Sequence, residues 1–261
     1  ISLCLKLCPW AKYRKNKGGI KMHTLVDLRG NLPVSVYLTS ASVNDVKALD
    51  DLYIEPSAIY LMDRGYVDFN RLFKLITKKN AFFVTRAKDN MLFEVVSEAE
   101  VDKSTGIISD ERIKLTGLHT AKWYPEELRM VTYEDYATSK VYRFLTNNME
   151  YEALTISELY RERWNVELYF KWIKQHLHIK SFYGTSENAI YLQIWIAICT
   201  YLLLAYAKKV MHIDQSLHTI SKNVGLFLTD KTPLNELFNK AVPTEETEDW
   251  LYPSLFRPDD F

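Results

Sequence analysis

The chain has 261 residues, with 33 Lys and Arg against 33 Asp and Glu, so its formal net charge is zero. Its 48% of hydrophobic residues can build a sizeable core, in one large domain or in one domain that carries an insertion. Three cysteines, Cys4, Cys8 and Cys199, are too few for a disulfide framework, and Cys4 and Cys8 lack the second pair that a zinc site needs. The composition therefore excludes a disulfide-rich secreted scaffold and favours a reduced, cytoplasmic setting.

Charge is segregated along the sequence although it sums to zero. Residues 1–23 carry six Lys and Arg and no acid, five of them in KYRKNKGGIK, whereas residues 92–111 carry six acids and one Lys. A basic surface can therefore coexist with acidic segments elsewhere, as in a nucleic-acid-binding protein. A basic run by itself is more often a solvated loop than a nucleic-acid site.

Residues 1–88 have the pattern of an α/β unit. KMHTLVDL and PVSVYLTS are β-rich and are separated by the turn RGN, which predicts a hairpin. A helix capped by Asn44 follows, and then AIYLMD, a short apolar strand that ends at Asp63. DFNRLFKLITKKN is an amphipathic helix capped by Asp68, and AFFVTRA is a second buried strand. This order predicts a mixed sheet flanked by helices.

The pattern changes after residue 88. Short β-rich pieces joined by polar turns continue to about residue 148, without a convincing helix, and predict an inserted antiparallel module. Helical patterns resume at Thr155 and run to about Met211. We therefore expect a first core part at 1–88, a β-rich insertion at 89–149, a helical second part at 150–211, and a C-terminal helical region with an acidic tail at 212–261.

The segment AIYLQIWIAICTYLLLAYA, residues 189–207, is the one candidate membrane span in the sequence. Its nineteen residues are long enough to cross a bilayer. Gln193 and Thr200 interrupt it, however, and no second apolar segment of this kind accompanies it. We therefore expect a buried core helix here.

The segment YRERWNVELYFKWIKQHL, residues 160–177, mixes charged and apolar residues in two stripes. At about 100° per residue, Val166, Phe170, Ile173 and Leu177 form a seam that predicts a core-facing side. Thr155 to Glu158 reads T-x-x-E, a capping box that predicts a continuous helix over about 155–178.

Beside the seam lies one polar line, formed by Tyr160, Arg163, Glu167 and Lys174. This line is either a solvated face with incidental charge pairs or a functional surface. Trp164, Leu168 and Trp172, on its flank, are more typical of packing than of base stacking.

Asp63 stands at the carboxyl end of a predicted buried strand and is followed by RGY. Ligands collect at this edge of open α/β sheets, although an Asp in such a turn can also be a simple cap. A second carboxylate, Glu167, comes from the polar line. Paired carboxylates in a basic neighbourhood suit hard divalent cations, and two such ions can bind the attacking and leaving oxygens of a phosphodiester.

These residues resemble a known family. Tyr160, Arg163, Glu167 and Lys174 stand as Y-(2)-R-(3)-E-(6)-K, which is similar to the signature of the insertion-sequence four family of bacterial DDE transposases. MDRGYVDF, residues 62–69, resembles the family motif around the second catalytic Asp. PWAKYRKNKGGIKMHTLVDLRGNLP resembles an early block of the same family. The resemblance covers nearly the whole chain and is loosest in the β-rich insertion.

The resemblance implies an RNase H-like core with a β-rich insertion before the Glu-bearing helix. It implies that Asp63 and Glu167 are catalytic, metal-binding carboxylates, with two Mg²⁺ or Mn²⁺ ions in the complete site. It implies that Tyr160, Arg163 and Lys174 bind DNA. The expected partners are double-stranded DNA, as transposon terminal inverted repeats and as target, and a second copy in a homodimeric DNA complex. The expected location is the bacterial cytoplasm, at the nucleoid when bound to DNA.

The sequence also departs from the family pattern. The first catalytic Asp of the family lies in a D-S-T motif just before the block that begins here as ISLCLKL, and neither Asp27 nor Asp45 matches that motif. We therefore expect an N-terminally truncated transposase that does not cut DNA by itself. Two interpretations stay open: a DNA-cutting and strand-joining enzyme, or a catalytically inactive DNA-binding remnant.

Overall fold

A computed structural model describes residues 1–177, 179, 181–229, 231, 236 and 238. The strands in these residues are β1 (Ser2–Leu3), β2 (Lys12–Arg14), β3 (Lys17–Asp27), β4 (Leu32–Ser40), β5 (Ile59–Met62), β6 (Phe82–Arg86), β7 (Phe93–Glu98), β8 (Ile107–Leu115), β9 (Leu128–Asp135) and β10 (Lys140–Thr146). The α-helices are α1 (Phe69–Arg71), α2 (Thr120–Trp123), α3 (Ala153–Glu162), α4 (Asn165–His176), α5 (Glu187–Val210) and α6 (Leu217–Leu226).

The chain divides into two compact units, each described by itself. The first unit contains Ile1–Ser42 and the described residues from Val166 onward, and the second contains Val43–Asn165. The strands therefore form two sheets: β1 to β4 in the first unit, and β5 to β10 in the second.

A long hairpin organises the sheet of the first unit. β3 pairs antiparallel with β4, and both β1 and β2 also pair with β3. In the connecting turn the Gly30 amide donates a hydrogen bond to the Asp27 carbonyl, and Asn31 adopts a φ of 50°, which Asn tolerates better than most residues. The hairpin predicted around RGN is confirmed.

Helix α5 supplies much of the core of the first unit. Ile190, Ile194 and Ile198 are at most 2% exposed and pack with the buried Cys8, Ala11 and Ile20. By length and composition α5 could also cross a membrane, and 33% of its apolar window is buried. The expected core helix is therefore confirmed for one side of α5.

The predicted seam is buried only in part, since Ile173 is fully buried whereas Val166, Phe170 and Leu177 are half-buried. Ile173 is fully buried and clusters with Tyr169 and Tyr201, while Phe170 and Leu177 pack against this cluster. Further along the chain, the predicted C-terminal helical region contains α6, whose N-cap Ser216 accepts a hydrogen bond from the Thr219 amide. The remainder of that region, with its acidic tail, lies largely outside the described residues.

The second unit is a mixed six-stranded sheet in the order β5-β6-β10-β9-β8-β7. β5 and β6 are parallel, and every other pairing is antiparallel. Helix α3 covers the sheet: Ile156 and Tyr160 pack against Val84, Val131 and Phe144, among others. The predicted architecture, a mixed sheet flanked by helices, is confirmed and is consistent with an RNase H-like fold.

The predicted continuous helix over 155–178 is wrong in its extent. α3 begins at Ala153, with Glu152 as an N-cap that makes no side-chain hydrogen bond, so Thr155 and Glu158 do not form a capping box. α3 ends at Glu162 because the amides of Arg163 and Trp164 bond to carbonyls only three residues back, a tighter turn than the α-helix allows. α4 starts a new helix at Asn165, so Tyr160 lies in α3, Arg163 in the turn between the helices, and Glu167 and Lys174 in α4.

Other helices also differ from expectation. The predicted helix at 68–80 is composite: Asp68 caps α1 through the Arg71 amide as predicted, but a π-helical turn at Leu72–Ile76 and a 3-10 turn at Thr77–Lys79 follow. The helix expected after Asn44 is a 3-10 helix that the Asn44 side chain does not cap. In the β-rich segment, where no helix was expected, α2 provides one turn of four residues.

Candidate active site

Asp63 lies directly after β5, at the carboxyl end of the parallel strand pair. Its Oδ1 accepts a hydrogen bond of 3.1 Å from the Gly65 amide and so caps the 3-10 turn Arg64–Tyr66. The capping role is therefore real. It engages one oxygen only, and the side chain remains 55% exposed, so the carboxylate can also take a ligand.

Arg163 faces the second oxygen of this carboxylate. Its Nη1 lies 3.9 Å from Asp63 Oδ2, while the Arg163 side chain is 20% exposed. This distance is at the outer limit of an ion pair, so the two groups attract each other without a tight bidentate contact. The Asp63 carboxylate, with one oxygen used for the cap, is thus exposed beside a guanidinium.

Tyr160 is a core residue as well as a neighbour of Arg163. It is 4% exposed, its ring centroid lies 4.9 Å from that of Phe144, and the Arg163 guanidinium lies 5.6 Å above its ring centroid. Burial raises the pKa of the Tyr160 hydroxyl, and the positive charge of Arg163 partly opposes that rise. The hydroxyl therefore stays protonated at neutral pH.

Arg86 is a basic residue of this neighbourhood that sequence reasoning missed. It ends β6, and Thr85 pairs with Met62 of β5, so Arg86 and Asp63 follow adjacent parallel strands at the same sheet edge. The Arg86 charge acts on the Tyr160 hydroxyl. One feature of the sequence could have identified Arg86: it follows FFVT, at the carboxyl end of the next predicted strand.

Tyr66 and Asp45 were missed as well. Burial raises the pKa of Tyr66 to about 12, and the carboxylates of Asp45 and Asp63 add to that rise. Asp45 therefore lies within electrostatic reach of the same hydroxyl as Asp63. The sequence considered Asp45 only as a substitute for the absent Asp.

Glu167 and Lys174 belong to the first unit and lie on α4. Glu167 is in the first turn of the helix, where the positive end of the helix dipole stabilises a carboxylate. Together with Phe170, Lys171 and Gln175 these residues line a cavity of about 300 Å³. The Lys174 ammonium lies 5.9 Å from the Phe170 ring centroid. This face of α4 therefore offers one carboxylate and two exposed lysines.

The flanking aromatic residues take part in packing. The ring centroid of Trp172 lies 5.2 Å from that of Tyr201 in an edge-to-face arrangement, and Trp172 packs at the border of the α4 cluster.

The basic run is exposed around the β2–β3 turn, where its side chains are Lys12, Arg14, Lys15 and Lys17. The first unit thus presents basic side chains on two of its elements.

Carboxylates are suitable ligands for hard divalent ions, so Asp63 and Glu167 have the right donor chemistry. The part of the chain that the structure describes contains no group of three or more His, Cys, Asp or Glu that could hold a metal ion. The structure brings Asp63, Tyr160 and Arg163 together in the second unit, and Glu167 and Lys174 in the first.

A family model of the transposase DDE domain matches residues 6–203. The chain therefore belongs to the transposase DDE domain family. The putative transposase y4zB of Sinorhizobium fredii is 37% identical over 80% of this chain and 59% of its own length. The probable transposase for insertion sequence element IS5377 of Geobacillus stearothermophilus is 29% identical over 87% of this chain and 60% of its own length.

A third relative, the putative transposase for insertion sequence element IS4SA of Synechocystis, is 26% identical over 81% of this chain. The chain spans between 57% and 60% of the length of these three relatives. No solved structure matches it. The resemblance to insertion-sequence DDE transposases is confirmed, and the insertion-sequence four family is consistent with these relatives. The Y-R-E-K assignment stays a prediction.

Proposed function

We propose that this chain is part of a bacterial enzyme that cuts transposon-end DNA and joins it to target DNA. The observation that carries the proposal is the half-exposed Asp63 carboxylate at a parallel strand end, with Arg163 beside it, in a chain of the transposase DDE domain family. The reaction is phosphodiester hydrolysis, followed by transesterification in which a 3′-hydroxyl attacks the target phosphate.

The basic residues bind the DNA backbone in this proposal. Arg163 offers a planar guanidinium to phosphate oxygens, and the exposed Lys174 offers an ammonium. Tyr160 supports Arg163 from below with its ring. Arg86 adds positive charge at the sheet edge where Asp63 lies.

Asp63 and Glu167 would hold divalent ions, Mg²⁺ or Mn²⁺, which supply activation of the attacking oxygen and stabilisation of the leaving oxygen. A two-ion site needs a further shared carboxylate. Because the 261-residue sequence contains no D-S-T motif, the resemblance to the family supports a third carboxylate other than Asp27 and Asp45.

A second candidate function follows from the departure from the family motif. Without the D-S-T aspartate, the chain would bind transposon ends without cutting them, as a catalytically inactive DNA-binding remnant. Both candidates take double-stranded DNA as the partner, as a homodimer in the DNA complex, and both act at the nucleoid.

A nicking assay on an end-containing duplex separates the two candidates. Residues 1–261 and a version extended upstream in the gene are incubated with Mg²⁺, with Mn²⁺ and with a chelator. Metal-dependent nicking by the extended protein supports the enzyme. Binding by both proteins without nicking by either supports the remnant. Nicking that persists in the chelator would contradict the metal proposal.

A further inference from the structure

Helix α5 carries a continuous apolar stripe on the side opposite to its buried face. Five of its side chains are between 54% and 70% exposed, and Cys199 is exposed among them. The stripe consists of Leu192, Ile196, Cys199, Leu203, Tyr206 and Val210. None of these residues takes part in the candidate active site, so the stripe is unexplained by DNA cutting.

The spacing of the stripe is the spacing of a coiled-coil seam. Successive members stand four, three, four, three and four residues apart. This alternation is the heptad repeat by which one helix packs its side chains between those of another helix. A stripe of this kind is complementary to a second stripe of the same kind, which the α5 of another copy provides.

The area of the stripe matches what a dimer needs. Tyr206 presents about 150–250 Å² when fully exposed and the smaller Leu, Ile, Val and Cys side chains present less, so the observed exposures leave at most about 700 Å² per copy. A patch of this size is at least as large as the largest apolar patches usual on monomers. Two copies that pair the whole stripe would together bury up to about 1,400 Å², within the range of specific interfaces.

A lipid bilayer fits the stripe less well. The opposite side of α5 is packed in the core of the first unit, so the helix cannot expose its whole circumference to lipid as a span must. Helices that lie in the membrane interface carry many Lys and Arg beside their apolar face, whereas the basic residues of α5 are only Lys208 and Lys209 at its end.

We propose that the α5 stripe of one chain packs antiparallel on the α5 stripe of a second copy. In this arrangement Leu192 lies opposite Val210 of the other copy, Ile196 opposite Tyr206, and the small Cys199 opposite Leu203, so every member of the stripe has a partner. In the antiparallel direction the two helix dipoles point in opposite directions, which is favourable, and Lys208 and Lys209 of one copy lie far from those of the other. The proposal deepens the homodimer expected in the DNA complex and places its interface on α5.

Sedimentation of the purified chain at micromolar concentrations, without DNA or metal, tests the proposal. We expect a dimer. The double substitution Leu192→Glu, Leu203→Glu should weaken the dimer at least ~100-fold, because it buries four carboxylates per interface. Leu118→Glu is the matched control, since Leu118 is 88% exposed in the second unit, and this variant should remain a dimer. Circular dichroism establishes that each variant is folded.

A monomeric wild-type chain, or a dimer that survives the double substitution, would overturn the proposal. Because the assay contains neither DNA nor metal, its failure is distinguishable from failure of the DNA-cutting function. Co-sedimentation with vesicles of phosphatidylcholine and phosphatidylglycerol provides the other arm. Stripe-dependent vesicle binding by a monomer would assign the stripe to a membrane instead.

Disulfide trapping tests the direction of the helices. In a Cys4→Ser background, Leu203→Cys should form an interchain disulfide with Cys199 of the other copy upon oxidation. The same background without Leu203→Cys is the control and should form little covalent dimer. Equal crosslinking of the control would indicate that Cys199 faces Cys199 and would overturn the proposed pairing of the two stripes.

Discussion

Replacing Arg163 with Ala tests whether this residue serves DNA binding or only the fold. Its ion pair with Asp63 spans 3.9 Å to a half-exposed carboxylate, and such pairs contribute at most about 1 kcal/mol to folding. Its guanidinium also lies 5.6 Å from the Tyr160 ring centroid, a contact that contributes roughly 0.5–1 kcal/mol. We therefore expect the free energy of unfolding to fall by about 1–2 kcal/mol, which leaves the protein folded.

The effect on DNA should be larger than the effect on folding. A lost charge-assisted contact to phosphate costs about 1–3 kcal/mol, which corresponds to a rise in Kd of about 5- to 150-fold. Fluorescence anisotropy with an end-containing duplex measures this rise, and its salt dependence should be steep because each neutralised phosphate releases counterions. Denaturant unfolding of the same samples measures stability.

Arg143→Ala is the matched control for Arg163→Ala. Arg143 forms an ion pair of 3.2 Å with Asp89 in the same unit, so its substitution removes the same charge elsewhere on the unit. We expect its Kd to change by less than ~3-fold. If both variants weaken DNA binding equally, the unit binds through its overall charge. If Arg163→Ala lowers stability and leaves Kd unchanged, Arg163 is structural and its assigned role is refuted.

Three further predictions concern other residues. Ile173→Ala should lower the free energy of unfolding by roughly 2–5 kcal/mol because Ile173 is fully buried. Lys174 is exposed, so Lys174→Ala should leave Tm nearly unchanged and weaken the binding of transposon ends. The reverse result would refute the orientation of α4. In an upstream-extended protein that nicks DNA, Asp63→Asn and Glu167→Gln should each abolish Mg²⁺-dependent nicking and preserve DNA binding, because each substitution removes the ligand charge and keeps the side-chain shape. If nicking survives one of these substitutions, the substituted residue is not a metal ligand. The pKa of Tyr66 is raised to about 12 from an ordinary value near 10, so its contribution to stability is complete below pH 10 and is lost as pH rises towards 12. Tyr66→Phe should therefore lose less stability at alkaline pH than the wild type does in denaturant titrations. Identical pH profiles of the two proteins would contradict the raised pKa.

Signals that are local in sequence predicted local structure well. The hairpin of β3 and β4 follows from two β-rich runs around one turn, and its strands and turn form as expected. Asp68 caps its helix because its side chain reaches the amide of Arg71, which is only three positions further along the chain. The divisions expected at residues 88, 149 and 211 are not local in this sense, and they stay predictions.

The break between α3 and α4 could not be predicted from the same signals. Arg, Glu, Trp and Asn at 161–165 contain neither Gly nor Pro, so helix periodicity runs through them. The chain nevertheless leaves one compact unit and enters the other at Asn165 and Val166. Packing within each unit, which the sequence does not display, decides where each helix ends.

The site residues that were missed depend on strand register. Arg86 follows Thr85, which pairs with Met62, and only that pairing places Arg86 beside the end of the strand that precedes Asp63. A sequence shows which strands end in polar residues, but it does not show which strands are neighbours. The proximity of Asp45 to Tyr66 also depends on the fold, since the two residues lie far apart in the sequence.

Tyr160 illustrates how one residue can belong to the core and to the functional surface. As a member of the polar line it was expected to contact DNA, yet it is 4% exposed and packs against Phe144. A tyrosine has an apolar body and a polar tip, so its ring can fill the core while it supports the guanidinium of Arg163. We infer that Tyr160 acts mainly as a platform that positions Arg163.

Substitution of Tyr160 separates the platform from a direct contact. Tyr160→Phe keeps the ring that supports Arg163, so we expect a DNA affinity within about 3-fold of that of the wild type. The free energy of unfolding should fall by only ~0.5–1.5 kcal/mol through the lost hydrogen bond of the hydroxyl. Tyr160→Ala removes the ring and should cost roughly 3–5 kcal/mol of stability. Its remaining folded fraction should bind DNA as weakly as Arg163→Ala, because Arg163 then lacks its support. A loss of affinity of tenfold or more in Tyr160→Phe, at unchanged stability, would instead show that the hydroxyl itself contacts the phosphate.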